Sequence, residues 1–164
     1  MKKTILFLIL TFALTAFSKA QMYYEFTLPD LEGNDVSMNK MVDKSNLVML
    51  SFWATWCTPC KEEMKKMSDL YEKYKDKGFE YVAMNIDNQK SVAKVKAFIT
   101  AQGYTFPVLL DTDKKVFEGY SGKDEMPYSV MINKKKEIVS VHIGFKTGDE
   151  EVIEKEIKAG LDIK

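Results

Sequence analysis

The chain holds only two cysteines in 164 residues, and they lie within one short stretch, Trp56-Cys57-Thr58-Pro59-Cys60. A bridge between them closes so small a loop that it removes little chain entropy and makes a poor staple. Reactivity explains the pair better than stability does. The stretch follows an apolar run and precedes residues with helical spacing. A cysteine at the start of a helix sits among unpaired backbone N–H groups and the positive end of the helix dipole. Both favour the thiolate, the nucleophilic form, at Cys57. Cys60 falls one turn further on the same face, where it can attack the Cys57 sulfur and resolve a mixed disulfide. Pro59 suits a first helical turn, which needs no donor from it. A zinc site is the competing use of such a pair. It wants four ligands, and beyond the two cysteines the chain offers one histidine, His142.

Glu63 is the next candidate. Positions 60, 63/64, 67, 70/71 and 74 share one helical face, which puts Glu63 on the apolar stripe below Cys60 while Glu62 points aside. A carboxyl there is partly desolvated, its pKa rises, and it can carry protons for the cysteines near neutral pH. Further along, Met126-Pro127 opens a strand. A proline there removes a backbone donor and leaves an edge on which a substrate strand could pair. Trp56 flanks the nucleophile and is a candidate docking residue, with Met126 and Tyr128 as further substrate contacts. Trp53 ends a buried strand and reads as core. His142 reads as a surface or core residue, and the ten methionines read mostly as helix-face packing.

The elements that must position these groups follow from periodicity and punctuation. Phe26-Thr27-Leu28 and the stretch around Val36 flank a turn-rich Leu31-Glu32-Gly33-Asn34-Asp35, a small hairpin. Leu47 to Trp53 is a nearly unbroken apolar run, as a central strand buried on both faces would be. Thr58 to about Lys75 is a helix carrying Met64, Met67, Tyr71 and Tyr74, closed by Gly78. Phe79 to Ile86 is a second buried strand, Ser91 to Gln102 a helix ended by Gly103, Phe106 to Leu110 a short strand, and Lys114 to Tyr120 a short helix. Pro127 to Ile132 and Glu137 to Ile143 are strands joined by an Asn-Lys-Lys-Lys turn. Gly148-Asp149 caps a last amphipathic helix with Val152, Ile153, Ile157 and Leu161. Strands alternating with helices, then a late hairpin, predict a single α/β domain with a mixed sheet.

Composition narrows the function classes. Hydrophobic residues are 46% and charged residues 29%, with formal net charge zero; no basic excess points to a nucleic-acid partner. The first twenty residues differ from the rest. Lys2 and Lys3 precede an apolar run of about thirteen residues, Ile5 to Phe17, and Ser18-Lys19-Ala20 puts small residues at a cleavage site. The run is short of the roughly 18–20 residues that span a bilayer. Residues 1–20 are therefore expected to be a signal peptide and residues 21–164 the mature domain, outside the cytosol, with a retained N-terminal anchor as the alternative. The mature chain carries 21 basic residues (24 less Lys2, Lys3 and Lys19) against 24 acidic, about −3 net.

Phe52-Trp53-Ala54-Thr55-Trp56-Cys57-Thr58-Pro59-Cys60-Lys61 resembles the active-site segment of the TlpA/ResA-type thioredoxin-like proteins. The resemblance runs from about Phe26 to the C-terminus. Phe106-Pro107-Val108-Leu109-Leu110-Asp111, with the strand and helix before it, is similar to that family's insert. The resemblance implies a thioredoxin fold, an extracytoplasmic location and thiol–disulfide exchange, most often reductive, in some members on apocytochrome c. It implies a proton-carrying acid three residues after the second cysteine, which is Glu63 here. It also implies a cis proline beside the cysteines, which is Pro127. Thioredoxin has a buried Asp on the preceding strand where this chain has Ser51, a departure that favours Glu63. Pro127-Tyr128-Ser129 stands where many members have Pro-Thr-Thr. The expected partners are exported disulfide-bearing proteins and a membrane-embedded thiol electron donor, since no flavin or nicotinamide motif is present. No cofactor or metal is expected, and the protein is expected to be a monomer. Two rival readings are a peroxiredoxin-like peroxidase and a copper-binding assembly factor using Cys57, Cys60 and His142.

Overall fold

A computed structural model of the chain describes residues 23–120 and 125–163. The expected signal segment lies outside the described residues, as do residues 121–124. Among the described residues, no helix is long and apolar enough to cross a membrane.

The chain opens with an antiparallel hairpin of β1 (Thr27–Pro29) and β2 (Asp35–Ser37). Its turn closes on the Asp30 carboxylate, which accepts from the Glu32 and Asn34 backbone N–H groups. A short helix, α1 (Met38–Lys44), follows and buries Met38 and Val42. The sequence reading omitted it, because seven residues are too few for a helical period to stand out.

β3 (Leu47–Trp53) is buried along its whole length, as expected of a central strand. α2 (Thr58–Tyr74) runs into a 3₁₀ turn at Lys75–Lys77 and stops at Gly78, which is left-handed at φ +95°. β4 (Phe79–Asn85), α3 (Val92–Gln102), β5 (Val108–Leu110) and α4 (Lys115–Tyr120) come next. The chain closes with β6 (Tyr128–Asn133), β7 (Ile138–Ile143) and α5 (Asp149–Gly160). Each predicted element is present within a few residues, the usual uncertainty of helix and strand ends.

The main sheet has the order β5-β4-β3-β6-β7. β3, β4 and β5 are parallel, and β6 and β7 run antiparallel to their neighbours. This is the expected mixed sheet of a thioredoxin fold, with the N-terminal hairpin and the strand–helix insert in place. Alternation along the strands sorts the residues between the two faces. Ser51 and Trp53 face α2 and α3, where Ser51 meets Glu63 and the Trp53 ring lies 5.4 Å from that of Phe98. Phe52 faces the opposite side, where its ring lies 5.3 Å from that of Phe117 in α4. α5 joins the first face: Glu150 and Glu154 bind Lys66 and Lys73 of α2. Its buried residues are Ile153 and Ile157. Val152, expected on the packing stripe, is half-exposed instead. One position from Ile153 is about 100° around the helix, which turns Val152 off the buried face.

Candidate active site

The chain leaves β3 at Trp53, turns, and enters α2 at Thr58, so the Trp-Cys segment caps both a strand end and a helix start. Cys57 is the N-cap of α2, with extended backbone, and its sulfur accepts from the Cys60 N–H at 3.3 Å. That is the place the sequence reading gave it: beside the unpaired donors and the positive end of the dipole. The two sulfurs are joined as a disulfide with Cα atoms 5.4 Å apart. Cys57 is 5% exposed and Cys60 fully buried. Both are buried in the oxidised state, Cys57 slightly less so than Cys60. Trp56 stands out beside Cys57 at 66% exposure.

A second anchor fixes this turn. Asp87, just past β4, accepts from the Thr55 backbone N–H at 2.7 Å, the Thr55 hydroxyl at 3.2 Å and the Asn85 amide at 3.0 Å. Hydrogen bonds to a carboxylate are roughly twice as strong as neutral ones. The segment leading into Cys57 is thus tied to the neighbouring strand. The sequence reading missed Asn85 and Asp87. Their signal was two polar residues closing a buried apolar strand, where solvent alone would not select them.

Glu63 lies on the inner face of α2, 1% exposed, while Glu62 is exposed. Met64 and Met67 flank it on the same stripe, both fully buried; burying each such side chain contributes roughly 1.5–3 kcal/mol to docking the helix. The Glu63 carboxylate accepts from the Ser51 hydroxyl at 2.7 Å. Burial pushes its pKa up to about 7, while hydrogen bonding from Ser51 and the proximity of Ser129 pull it down. A carboxyl poised there can take and return a proton at neutral pH.

The Met126–Pro127 bond is cis. Phe52 pairs with Tyr128, so Pro127 comes to the end of β6 that lies beside the exit of β3, the same end of the sheet as the cysteines. Pro127 is buried and Met126 partly so. Its carbonyl is engaged by the Gly144 N–H at 2.8 Å. Tyr128 corrects an expectation. Strand alternation turns it to the face opposite Ser129 and Glu63. There it packs with Phe52 and Phe117 at 8% exposure, and its hydroxyl donates to the Tyr120 carbonyl. It is a core residue rather than a substrate contact. His142 is drawn to Glu156 at 2.8 Å and Ser140 at 3.1 Å. Among the described residues no group of three or more His, Cys, Asp or Glu is placed to hold a metal, so His142 is not brought into a set with the cysteines.

The sequence profile of the AhpC/TSA family matches residues 20–141. The thiol-disulfide oxidoreductase ResA of Bacillus thuringiensis (strain Al Hakam) is 38% identical over 125 residues, 76% of this chain and 69% of that protein. The protein of the same name from Bacillus subtilis (strain 168) is 36% identical over 122 residues, 74% of this chain and 65% of its own length. Among solved structures, a putative thiol:disulfide interchange protein DsbE from Chlorobium tepidum superposes with a TM-score of 0.78 at 31% identity, covering 87% of this chain and 96% of that one. A redox pair capping a helix is what such chemistry requires, and on both grounds the chain belongs to the AhpC/TSA family as a thiol–disulfide oxidoreductase similar to ResA.

Proposed function

We propose that the exchange runs as reduction, on disulfides of exported proteins, with apocytochrome c among the candidate substrates. The observation that carries this reading is the stacking of three groups along α2: Cys57 at its cap, Cys60 buried one turn in, and Glu63 buried below. In the reduced protein the Cys57 thiolate attacks one sulfur of the substrate disulfide, and the other substrate sulfur leaves as a thiolate. Glu63 takes the proton of the Cys60 thiol. The Cys60 thiolate then attacks the Cys57 sulfur and expels the second substrate sulfur. Two electrons have passed to the substrate, which leaves as a dithiol once its sulfurs are protonated, and Cys57–Cys60 remains as the disulfide. Trp56 and Met126 flank the path a substrate would take, and Pro127 borders it.

The signal-like residues 1–20 support export, with cleavage near Ala20 and residence in the periplasm or another extracytoplasmic space. Return to the dithiol then falls to a membrane-embedded thiol donor. Thr58-Pro59 places no positive charge between the cysteines, so nothing there stabilises the thiolate enough to make a strong oxidant. The peroxidase alternative wants Pro-x-x-x-Thr-x-x-Cys; counting back from Cys57, Leu50 and Ala54 stand where the proline and threonine would be.

Equilibration with glutathione buffers tests the direction. The expected potential lies nearer the roughly −270 mV of thioredoxin than the roughly −120 mV of DsbA. A value above about −150 mV would make the protein an oxidant and defeat the reductase reading. Trapping mixed disulfides with Cys60→Ser in cells would identify the substrates.

A further inference from the structure

Four buried side-chain polar atoms among the described residues make no hydrogen bond of good geometry, and two of them, Ser129 Oγ and Tyr81 OH, lie near enough to Glu63 to act on its charge or feel it. A buried hydroxyl left without a well-aligned partner is costly, so two around one acid call for a reason. The sheet register supplies the geometry. Ser51 and Ser129 are directly paired across β3 and β6, so their side chains emerge side by side on the face toward α2. Tyr81 pairs with Met49, two positions before Ser51 on β3, and therefore shares that face from β4. Ser51, Ser129 and Tyr81 are all essentially unexposed. Ser51 already donates to Glu63 Oε2 at 2.7 Å, which leaves its oxygen free to accept.

We propose that Ser51, Ser129 and Tyr81 form a hydroxyl cradle that positions Glu63 and accommodates its change of charge by turning O–H groups toward the carboxylate when it ionises. The proposal rests on the proton-carrying role given to Glu63 above. Three strands each contribute one hydroxyl, and a hydroxyl can donate to the charged acid or accept from the neutral one. Ser51 is the direct donor, Ser129 the second donor from the paired strand, and Tyr81 the donor behind Ser51. An apolar lining would leave the acid protonated far into the alkaline range; a fixed cation would keep it ionised. Rotating hydroxyls do neither, so the acid can change state without the sheet moving. The physical signs agree: Ser129 lowers the Glu63 proton affinity, and the Tyr81 hydroxyl feels both Ser51 and the Glu63 charge. The titratable groups facing Glu63 are few. α2 itself presents Cys57 and Cys60, which as a disulfide do not titrate. β4 presents Tyr81, whose pKa burial drives well above the ordinary value, so it stays neutral. β7 carries His142 opposite Ser129, and Glu156 of α5 engages it.

The test is the titration of the Glu63 carboxyl in the oxidised protein, followed by ¹³C NMR on protein with labelled glutamate and assigned by its loss in Glu63→Gln. Ser51→Ala, Ser129→Ala and Tyr81→Phe should each raise the midpoint, Ser51→Ala by about one pH unit and the other two by less. Ser51→Thr and Ser129→Thr, which keep the hydroxyl, should restore it. If Ser51→Ala does not fold, Ser129→Ala and Tyr81→Phe decide the matter. Midpoints unmoved in those two variants would overturn the cradle. That failure is separate from failure of the proton-carrier role, which shows instead as an unchanged pH profile of Cys57 reactivity in Glu63→Gln.

Discussion

Cys57 and Cys60 differ by position rather than by chemistry. Cys57 caps α2 among free N–H donors, and Cys60 is sealed behind it. In the reduced protein an alkylating reagent at mild pH should therefore label Cys57 first, and faster labelling of Cys60 would reverse the assignment. Glu63 shapes the same experiment. Its carboxyl, raised by burial to about 7, should leave an inflection near neutrality in the pH profile of Cys57 reactivity. The acid and the thiols then titrate as a coupled set. Glu63→Gln should remove that inflection and slow disulfide exchange on the order of tenfold or more, since positioned proton transfer contributes roughly 10²–10⁴-fold. Glu62→Gln, on the exposed side of the helix, should leave both unchanged. Matching profiles for wild type and Glu63→Gln between about pH 5 and 9 would make Glu63 a structural acid only.

At the level of elements, α2 is held at both ends by backbone conformations that specific residues permit. Its start depends on the Cys57 cap and on the Asp87–Thr55 bonds, and its exit on Gly78. There φ is +95°, and an added Cβ would press on the Asn46 side chain, nearest at Nδ2. The Gly78 carbonyl also receives the Asn46 and Leu47 N–H groups at the start of β3. Gly78→Ala should cost about 1–2 kcal/mol for the left-handed backbone, while the exposed Asn46 side chain can turn aside. Chemical unfolding would measure it. Because Gly78 lies at the far end of α2 from the cysteines, the reduction potential of the folded variant should match wild type. A large change in potential would mean that the helix exit is coupled to its cap.

Over the whole molecule, two groups of acids oppose each other in pH. Glu63 binds its proton more tightly folded than unfolded, about 7 against 4.5. The folded state therefore holds more protons between those values, and stability falls as pH rises through them, by an amount on the order of 3 kcal/mol. Glu150 and Glu154 behave the other way. Hydrogen bonds from Lys66, and from Lys73 and Tyr74, hold them near 2, below the ordinary 4.5. The stability they contribute is present above about 4.5 and is lost as pH falls toward 2. These bridges tie α2 to α5 at the surface, so their share is small and weakens with salt. Urea unfolding of the oxidised protein should give a maximum near pH 4.5–5 (the ordinary carboxyl range), with a shallow acid limb and a steeper neutral one. Glu63→Gln should flatten the neutral limb; an unchanged slope there would mean that Glu63 is not the group responsible.

The residues carrying local information were legible in order along the chain. The redox pair, its place between strand and helix, the burial of Glu63 but not Glu62, and most elements follow from short-range periodicity and from glycine and proline punctuation. These depend only on neighbours within a turn or a pleat. The exceptions were a helix too short to show a period and Val152, one step off its stripe. The tertiary structure alone decided which strands lie side by side. That choice pairs Ser51 with Ser129, brings Tyr81 onto their face, sends Tyr128 to the other, and ties Asp87 to the turn before Cys57. Such partners are remote in sequence, and register along a sheet is set by the packing of every strand at once. A shift of one residue would have turned each of these side chains to the opposite face.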